Sequence, residues 1–363
     1  MAARRKGLAA HYAGADERPE QGRPPQGHRR GRRAQPLPPR GALRCALVGP
    51  GRVFLSRMKN GNPLVSVVMC TYNGARFVGE QLESILQQTY SPIEVIVADD
   101  ASKDDTYELL QQYAARDGRI RLSRNAQNTG YNINFSNACA AAAGDFIAIA
   151  DQDDIWESTK IAELVDAIQK DDNIVLVHGI SARFEEREHP HLRSLKLVNY
   201  FRGNDLRLFY LSNYISGHNM LFRRRLLDRA LPFPGHVYYD WWLAAQACLI
   251  GRIEAVEKIQ VWHRMHGGNA TGGAKPKLAF WKQVQSILPT ILESPDIQPA
   301  HRAFGQELLA HYQRDFPEKE FSWPLFWFLL KNAPVIFAYK KRTFPWISYT
   351  KHAARYASRK HLA

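Results

Sequence analysis

The sequence predicts an α/β fold: a doubly wound, mostly parallel sheet followed by a helical C-terminal appendage. Two observations carry that reading. From Leu64 onward, short apolar β-branched runs alternate with amphipathic helical stretches through short polar joints. Polar clusters also sit at the carboxyl ends of those runs, where open α/β sheets bind ligands.

The elements follow in order. LVSVVMC suits a buried parallel strand. TYNGARFVGEQLESILQQT places Phe77, Val78, Leu82, Ile85 and Leu86 on one helical face. EVIVADD is a second buried strand, and SKDDTYELLQQYAAR opens like a capped helix, with Ser102 and nearby acids at its start. RIRLSR, NINFSNACAAAA and DFIAIAD repeat the strand, helix, strand order. NIVLVHG follows, then YISGHNMLF as a strand crossing the sheet. YYDWWLAAQACLIG reads as a helix ended by Gly251, and RIEAVEKIQVWHRMHGGNATGG as a strand with a Gly-rich loop. No period of 20–50 residues repeats, which excludes a solenoid.

Of the 363 residues 45% are apolar, enough for one large domain with an appendage. Cys45, Cys70, Cys139 and Cys248 lie far apart with no C-x-x-C spacing, so a reducing compartment fits better than a disulfide framework or zinc site. The formal charge of +14 belongs to the ends. Residues 1–57 carry 13 Lys and Arg against 3 acids, and residues 322–363 carry 8 against none, which leaves the middle about four charges negative. That balance argues against a nucleic-acid partner.

Three regions follow. Residues 1–57 are rich in Arg, Pro and Gly without an apolar period, a disordered or misassigned extension with no core to contribute. Gly and Pro interrupt ALVGPGRVFL, so it is not a signal-peptide core. Residues 58–275 form the main domain, and 276–363 a helical, basic-aromatic region. Its apolar stretches are too short to span a bilayer. Trp, Phe and Tyr among eight cations suit an interfacial helix against anionic lipid, or else a helix packed on the main domain.

Asp151-Gln152-Asp153-Asp154-Ile155-Trp156 is the most informative run. Two carboxylates at i and i+2, just past an apolar strand, can reach one Mg²⁺ or Mn²⁺ while a nucleotide diphosphate supplies further oxygens. The plainer reading is an acidic turn capping the next helix.

With its neighbours this run resembles the family-2 glycosyltransferases of the GT-A, Rossmann-like fold, in particular the DQDDIW-bearing, rhamnosyltransferase-like branch. The resemblance runs from about Val65 to Thr271 through VSVVMCTYNG, EVIVADDASKDDT, NTGYNINFSNA, GDFIAIADQDDIW, SGHNMLFRR, YYDWWLA and WHRMHGGNATG. It implies an inverting, metal-dependent hexosyltransferase that moves a sugar from a dTDP-rhamnose or UDP-sugar donor to an acceptor hydroxyl in surface-polysaccharide assembly.

Position by position, it implies that Thr71 and Tyr72 line the donor base and that Asp100, beside Asp99, accepts the base imide N–H. Asn128 and Gly130 approach the nucleotide and diphosphate. Asp151 and Asp153 are the ribose-and-metal pair, with Asp153 the metal ligand. Asp240 is the catalytic base, its plainer reading a helix N-cap. His266 completes the metal or diphosphate site, or is structural. His218 lines the acceptor side or is a satisfied buried histidine, and His263 and Arg264 are phosphate-contact candidates. The loop reads Trp262-His263-Arg264-Met265-His266 where relatives often read Y-R-x-H, which leaves its register open.

The resemblance implies a nucleotide-sugar donor and a glycan or lipid-linked acceptor as partners; the tail's composition adds a peripheral membrane contact at the inner membrane face, and the scattered cysteines a place in the cytoplasm. A nucleotidyltransferase would carry a Gly-rich basic loop where CTYNGARF stands, and a processive synthase would carry spanning helices and a Q-x-x-R-W motif; neither is present.

Overall fold

The computed structural model describes residues 61–184, 200–267, 280–316, 319–338 and 344–358, with side chains from residue 284 in the third segment. The basic extension at 1–57, residues 185–199 after NIVLVHG, the end of the Gly-rich loop and the cations at 340–342 lie outside the described residues.

One eight-stranded sheet organises the rest, in the order β3-β2-β1-β4-β7-β6-β8-β5. Strands β1 (Val65–Thr71), β2 (Ile93–Asp99), β3 (Ile120–Arg124) and β4 (Phe146–Ala150) are parallel neighbours, with Val65 opposite both Ile93 and Phe146. Their crossovers are α1 (Val78–Leu86), α2 (Thr106–Arg116) and α3 (Tyr131–Ala140). Period-2 alternation on β1 sends Val68 to one face and Val65, Val67 and Met69 to the other, and all four are fully buried. This half matches the doubly wound expectation.

The other half is mixed. Strand β7 (Met220–Arg223) runs antiparallel to β4 and to β6 (Ile174–Phe184), while β8 (Arg252–Arg264) is parallel to β6. The two-residue strand β5 (Ile155–Trp156) pairs antiparallel with β8, Ile155 opposite Trp262 and Trp156 opposite Val261. α4 (Lys160–Gln169) joins β5 to β6. After β7 come the short α5 (Leu227–Ala230) and α6 (Tyr239–Ile250), the latter followed by Gly251 as expected.

Two local expectations are corrected. The strand expected over YISGHNMLF is limited to its last residues plus Arg223, because Gly217–Asn219 form a 3-10 turn and His218 sits on that turn. Ser102 does not cap α2, which begins at Thr106. Its hydroxyl instead donates to Asp99 at 2.5 Å and accepts the Asn73 N–H at 2.9 Å, tying the loop after β1 to the loop after β2.

The C-terminal helices are α7 (Phe280–Leu292), α8 (Pro299–Asp315), α9 (Trp323–Lys331), α10 (Ala333–Ile336) and α11 (Pro345–Tyr356). They share one core with α3, α6 and one face of the sheet, burying Leu308, Tyr312, Leu325, Phe328, Leu329 and Ala353. The turn from α8 into α9 is pinned by buried Asp315, which accepts Ser322 Oγ at 2.5 Å and Lys319 Nζ at 2.9 Å. Among the described residues no helix is long and apolar enough to cross a membrane.

Candidate active site

The polar clusters gather at the carboxyl edge of the parallel strands, where the sequence put them. Their backbones are already shaped there: Asn73 after β1 and Ala101 after β2 have φ of 49° and 59°, a region costly for residues with a Cβ. Asn73 Oδ1 accepts the Lys103 N–H at 2.8 Å, and the Ser102 and Asp99 bonds hold the other side. Gly74 allows Gln152 to lie against the first loop, since a Cβ there would fall 2.2 Å from Gln152 Oε1. Gln152 Oε1 accepts the Tyr72 N–H at 2.9 Å and its Nε2 donates to the Tyr72 carbonyl at 3.2 Å.

Not every expected donor contact faces outward. Tyr72 is 40% exposed, but Thr71 and Asp99 are buried, and the Thr71 hydroxyl donates to Asp99 Oδ1 at 3.0 Å. Asp100 is buried as well. Its Oδ1 accepts from Asn125 Nδ2, the Thr129 N–H and the Thr129 hydroxyl, and its Oδ2 accepts the Gly130 N–H, all at 2.8–2.9 Å. Burial alone would raise its pKa, yet those four donors hold the carboxyl below the usual range. In this structure Asp100 therefore folds the 125–130 loop, and Gly130, at φ 84°, turns that loop into α3. Asn128 is exposed on it.

The acidic run leaves the end of β4, and the β5–β8 pairing lays the WHRMH segment beside it. The pairing brings His266, just past the end of β8, beside the run. His266 Nε2 stands 2.8 Å from Asp153 Oδ2, and the imidazole packs on Phe77 with ring centroids 4.6 Å apart. Burial, then the charges of Asp151 and Asp154, push the Asp153 pKa up against the pull of His266. The carboxylate of Asp153 and the imidazole of His266 are ligand types a divalent ion takes, here bonded to each other, while Asp151, two residues earlier, turns its Oδ2 to His218.

Behind them lies a second set of charges. His218 Nδ1 faces Asp151 Oδ2 at 3.0 Å and Asp154 Oδ2 at 3.2 Å, while its Nε2 meets Ser181 Oγ at 2.9 Å. Burial would lower the His218 pKa, but Asp154 and Asp151 carry it above its ordinary value. His263 Nδ1 lies 3.2 Å from Asp154 Oδ1, so Asp154, His218 and His263 bring ligand atoms within 4.8 Å of one another. Fully buried Lys160 donates to the His218 carbonyl at 2.6 Å and lies over the Trp156 ring, its amine beside this acidic interior; burial pulls its pKa well down against the charges of Asp154 and Asp151. His218 is thus a satisfied buried histidine behind the acidic run. Arg264 is not turned to a ligand either: it is buried between Phe77 and Phe184, bonded to Glu80 and to the Asp153 carbonyl.

Asp240 stands in the first turn of α6. Its Oδ1 accepts the Trp241 N–H at 2.7 Å. Burial first, then the charge of Asp151, push its pKa up to about 6, against the Trp241 and Gly217 amides. Asn132 fixes this helix start from α3: its Oδ1 accepts the Tyr239 N–H at 3.1 Å and its Nδ2 donates to the Val237 carbonyl at 2.5 Å. Sequence reasoning missed Gln152, Asn132 and Lys160. The signal was a polar residue on an otherwise buried face, as with Lys160 ahead of Ile161, Leu164, Val165 and Ile168.

Residues 66–231 match the model of Glycosyl transferase family 2. The alignments to the first curated relatives cover 66%, 68% and 70% of those proteins' lengths. TuaG of Bacillus subtilis, named as a proposed teichuronic acid biosynthesis glycosyltransferase, is 36% identical over 104 residues, which is 29% of this chain and 41% of TuaG. Among solved structures, Staphylococcus aureus TarS 1–349 in complex with UDP-GlcNAc superposes with a TM-score of 0.53 at 20% identity, over 80% of this chain and 81% of that one. The mannosyltransferase PcManGT from Pyrobaculum calidifontis, in complex with GDP-Man and Mn²⁺, gives 0.50 at 18% identity, over 80% and 84%. At these identities the structural likeness concerns the fold, which is of the GT-A type.

Proposed function

We propose, from the premise that this chain is a family 2 glycosyltransferase of the GT-A fold, that it transfers a sugar with inversion from a nucleotide-diphosphate donor to an acceptor hydroxyl. The observation that carries the reading is a division of labour among acids at one sheet edge. Asp153 is paired with His266, while Asp240 stands apart at the start of α6 with its pKa pushed up to about 6.

The transfer forms a bond from the acceptor oxygen to the anomeric carbon as the bond to the diphosphate breaks. Asp240 takes the proton of the attacking hydroxyl, and a pKa near 6 leaves it ionised yet basic near neutral pH. Asn132 holds the Asp240 helix, and Tyr238, 40% exposed, offers a ring face beside it for a sugar. Tyr72 and the 128–130 loop flank the nucleotide, with Asp100 and Gln152 setting their backbones. Asp153 and His266, assisted by Asp151, would hold Mn²⁺ or Mg²⁺, whose charge neutralises the departing diphosphate. Asp151 also carries the ribose contact implied by the motif.

TuaG's name supports a polysaccharide acceptor, free or lipid-linked. dTDP-rhamnose and UDP-sugars are the donors to try first. The test is a panel of nucleotide sugars with Mn²⁺, read as nucleoside diphosphate release. One preferred nucleotide and sugar supports the reading; no release above the uncatalysed rate from any donor contradicts it.

A further inference from the structure

We propose that the outward faces of α9 and α11 form a docking surface for an anionic lipid bilayer. The two helices divide their apolar residues sharply. α9 buries Leu325, Phe326, Phe328 and Leu329 but leaves Trp323 at 63% and Trp327 at 60% exposure. These two are four residues apart, and exposed Lys331 continues the stripe one turn on. At the start of α11, Phe344, Trp346 and Ile347 are 69%, 67% and 71% exposed, with exposed Lys351 one turn further and Arg355 beyond it. A bridge between Phe321 and Ser358 joins the start of α9 to the end of α11, so the helices run antiparallel over the same core.

Packing on the main domain accounts for the buried half of these side chains and leaves the exposed half without a purpose in water. Three exposed indoles with a Phe and an Ile, gathered on two neighbouring helices, exceed the scattered apolar residues of an ordinary surface.

Charge selects the occupant. From Phe321 to the end the sequence has eight Lys and Arg and no acid, and those among the described residues, Lys331, Lys351 and Arg355, are all exposed on α9 and α11. A second copy of the chain would set cations against cations. A bilayer with anionic headgroups takes the indoles at headgroup level and pairs its phosphates with the lysines. The inference does not depend on the transfer chemistry.

The experiment is flotation of the full chain with phosphatidylcholine vesicles, with and without phosphatidylglycerol. The wild-type chain is expected to float with the anionic vesicles. W327A/W346A and K331E/K351E, all at exposed positions, should each weaken that binding by roughly tenfold or more, with melting temperature and donor hydrolysis unchanged. The charge-reversed pair decides the matter if the tryptophan pair folds poorly. Wild-type binding that is absent, or retained in full by both variants, overturns the proposal. So does a dimer lost in W327A/W346A without any lipid binding, which would give the face to a second copy.

Discussion

Gln152 holds the main chain of Tyr72 at both polar atoms, accepting its N–H at 2.9 Å and donating to its carbonyl at 3.2 Å. The side-chain amide thus extends the Tyr72 backbone much as a neighbouring strand would, across the gap between the ends of β1 and β4.

Gln152→Ala is expected to free the Tyr72 loop at a stability cost of about 1 kcal/mol, since both bonds are near solvent. Its larger effect should be several-fold weaker donor binding with little change in kcat. Gly74→Ala should do the same by displacing Gln152. Donor titration of both variants checks this; unchanged affinity would separate the loop from the donor.

Asp240 gives a pH dependence with a definite sign. As a base it must be ionised, so the transfer rate should fall as pH drops through about 6. Its folded pKa lies above the unfolded value of about 3.9, so the ionised carboxylate penalises the fold above about pH 6 and not below about pH 4. Asp240→Asn should therefore raise the melting temperature at pH 8, by an amount equivalent to at most about 3 kcal/mol, and not at pH 4. A helix-capping role would lower stability at both.

Asp153→Ala and His266→Ala should both weaken Mn²⁺ dependence, and Asp153→Ala should cost roughly 100-fold or more in transfer. Mn²⁺ titration of activity reads the result. Full turnover in EDTA, or His266→Ala with an unchanged Mn²⁺ requirement, would remove these residues from the metal site.

The parallel half of the sheet was legible because buried parallel strands are continuous apolar runs, and β1, β2 and β4 are of that kind. The acidic run and its place after β4 were legible for the same reason. The inward turn of Thr71, Asp99 and Arg264 was not, because a motif shows which residues stand together and not which way their side chains point. His218 was expected on a strand, and its 3-10 turn depends on Asp151, Asp154 and Lys160, all remote in sequence. The tail's composition favoured lipid contact over packing without saying which residues would do either, and the structure shows which of them are exposed, Trp323 and Trp327, beside buried Phe328.

The central claim is that Asp240 acts as the base of a single, inverting displacement. The most direct measurement follows the anomeric configuration of the product by NMR while comparing wild type with Asp240→Asn. The account predicts an inverted product, nearly unchanged nucleotide-sugar affinity in the variant, and a transfer rate about 10²–10⁴-fold lower. A product of retained configuration, or a variant that turns over normally, would contradict it.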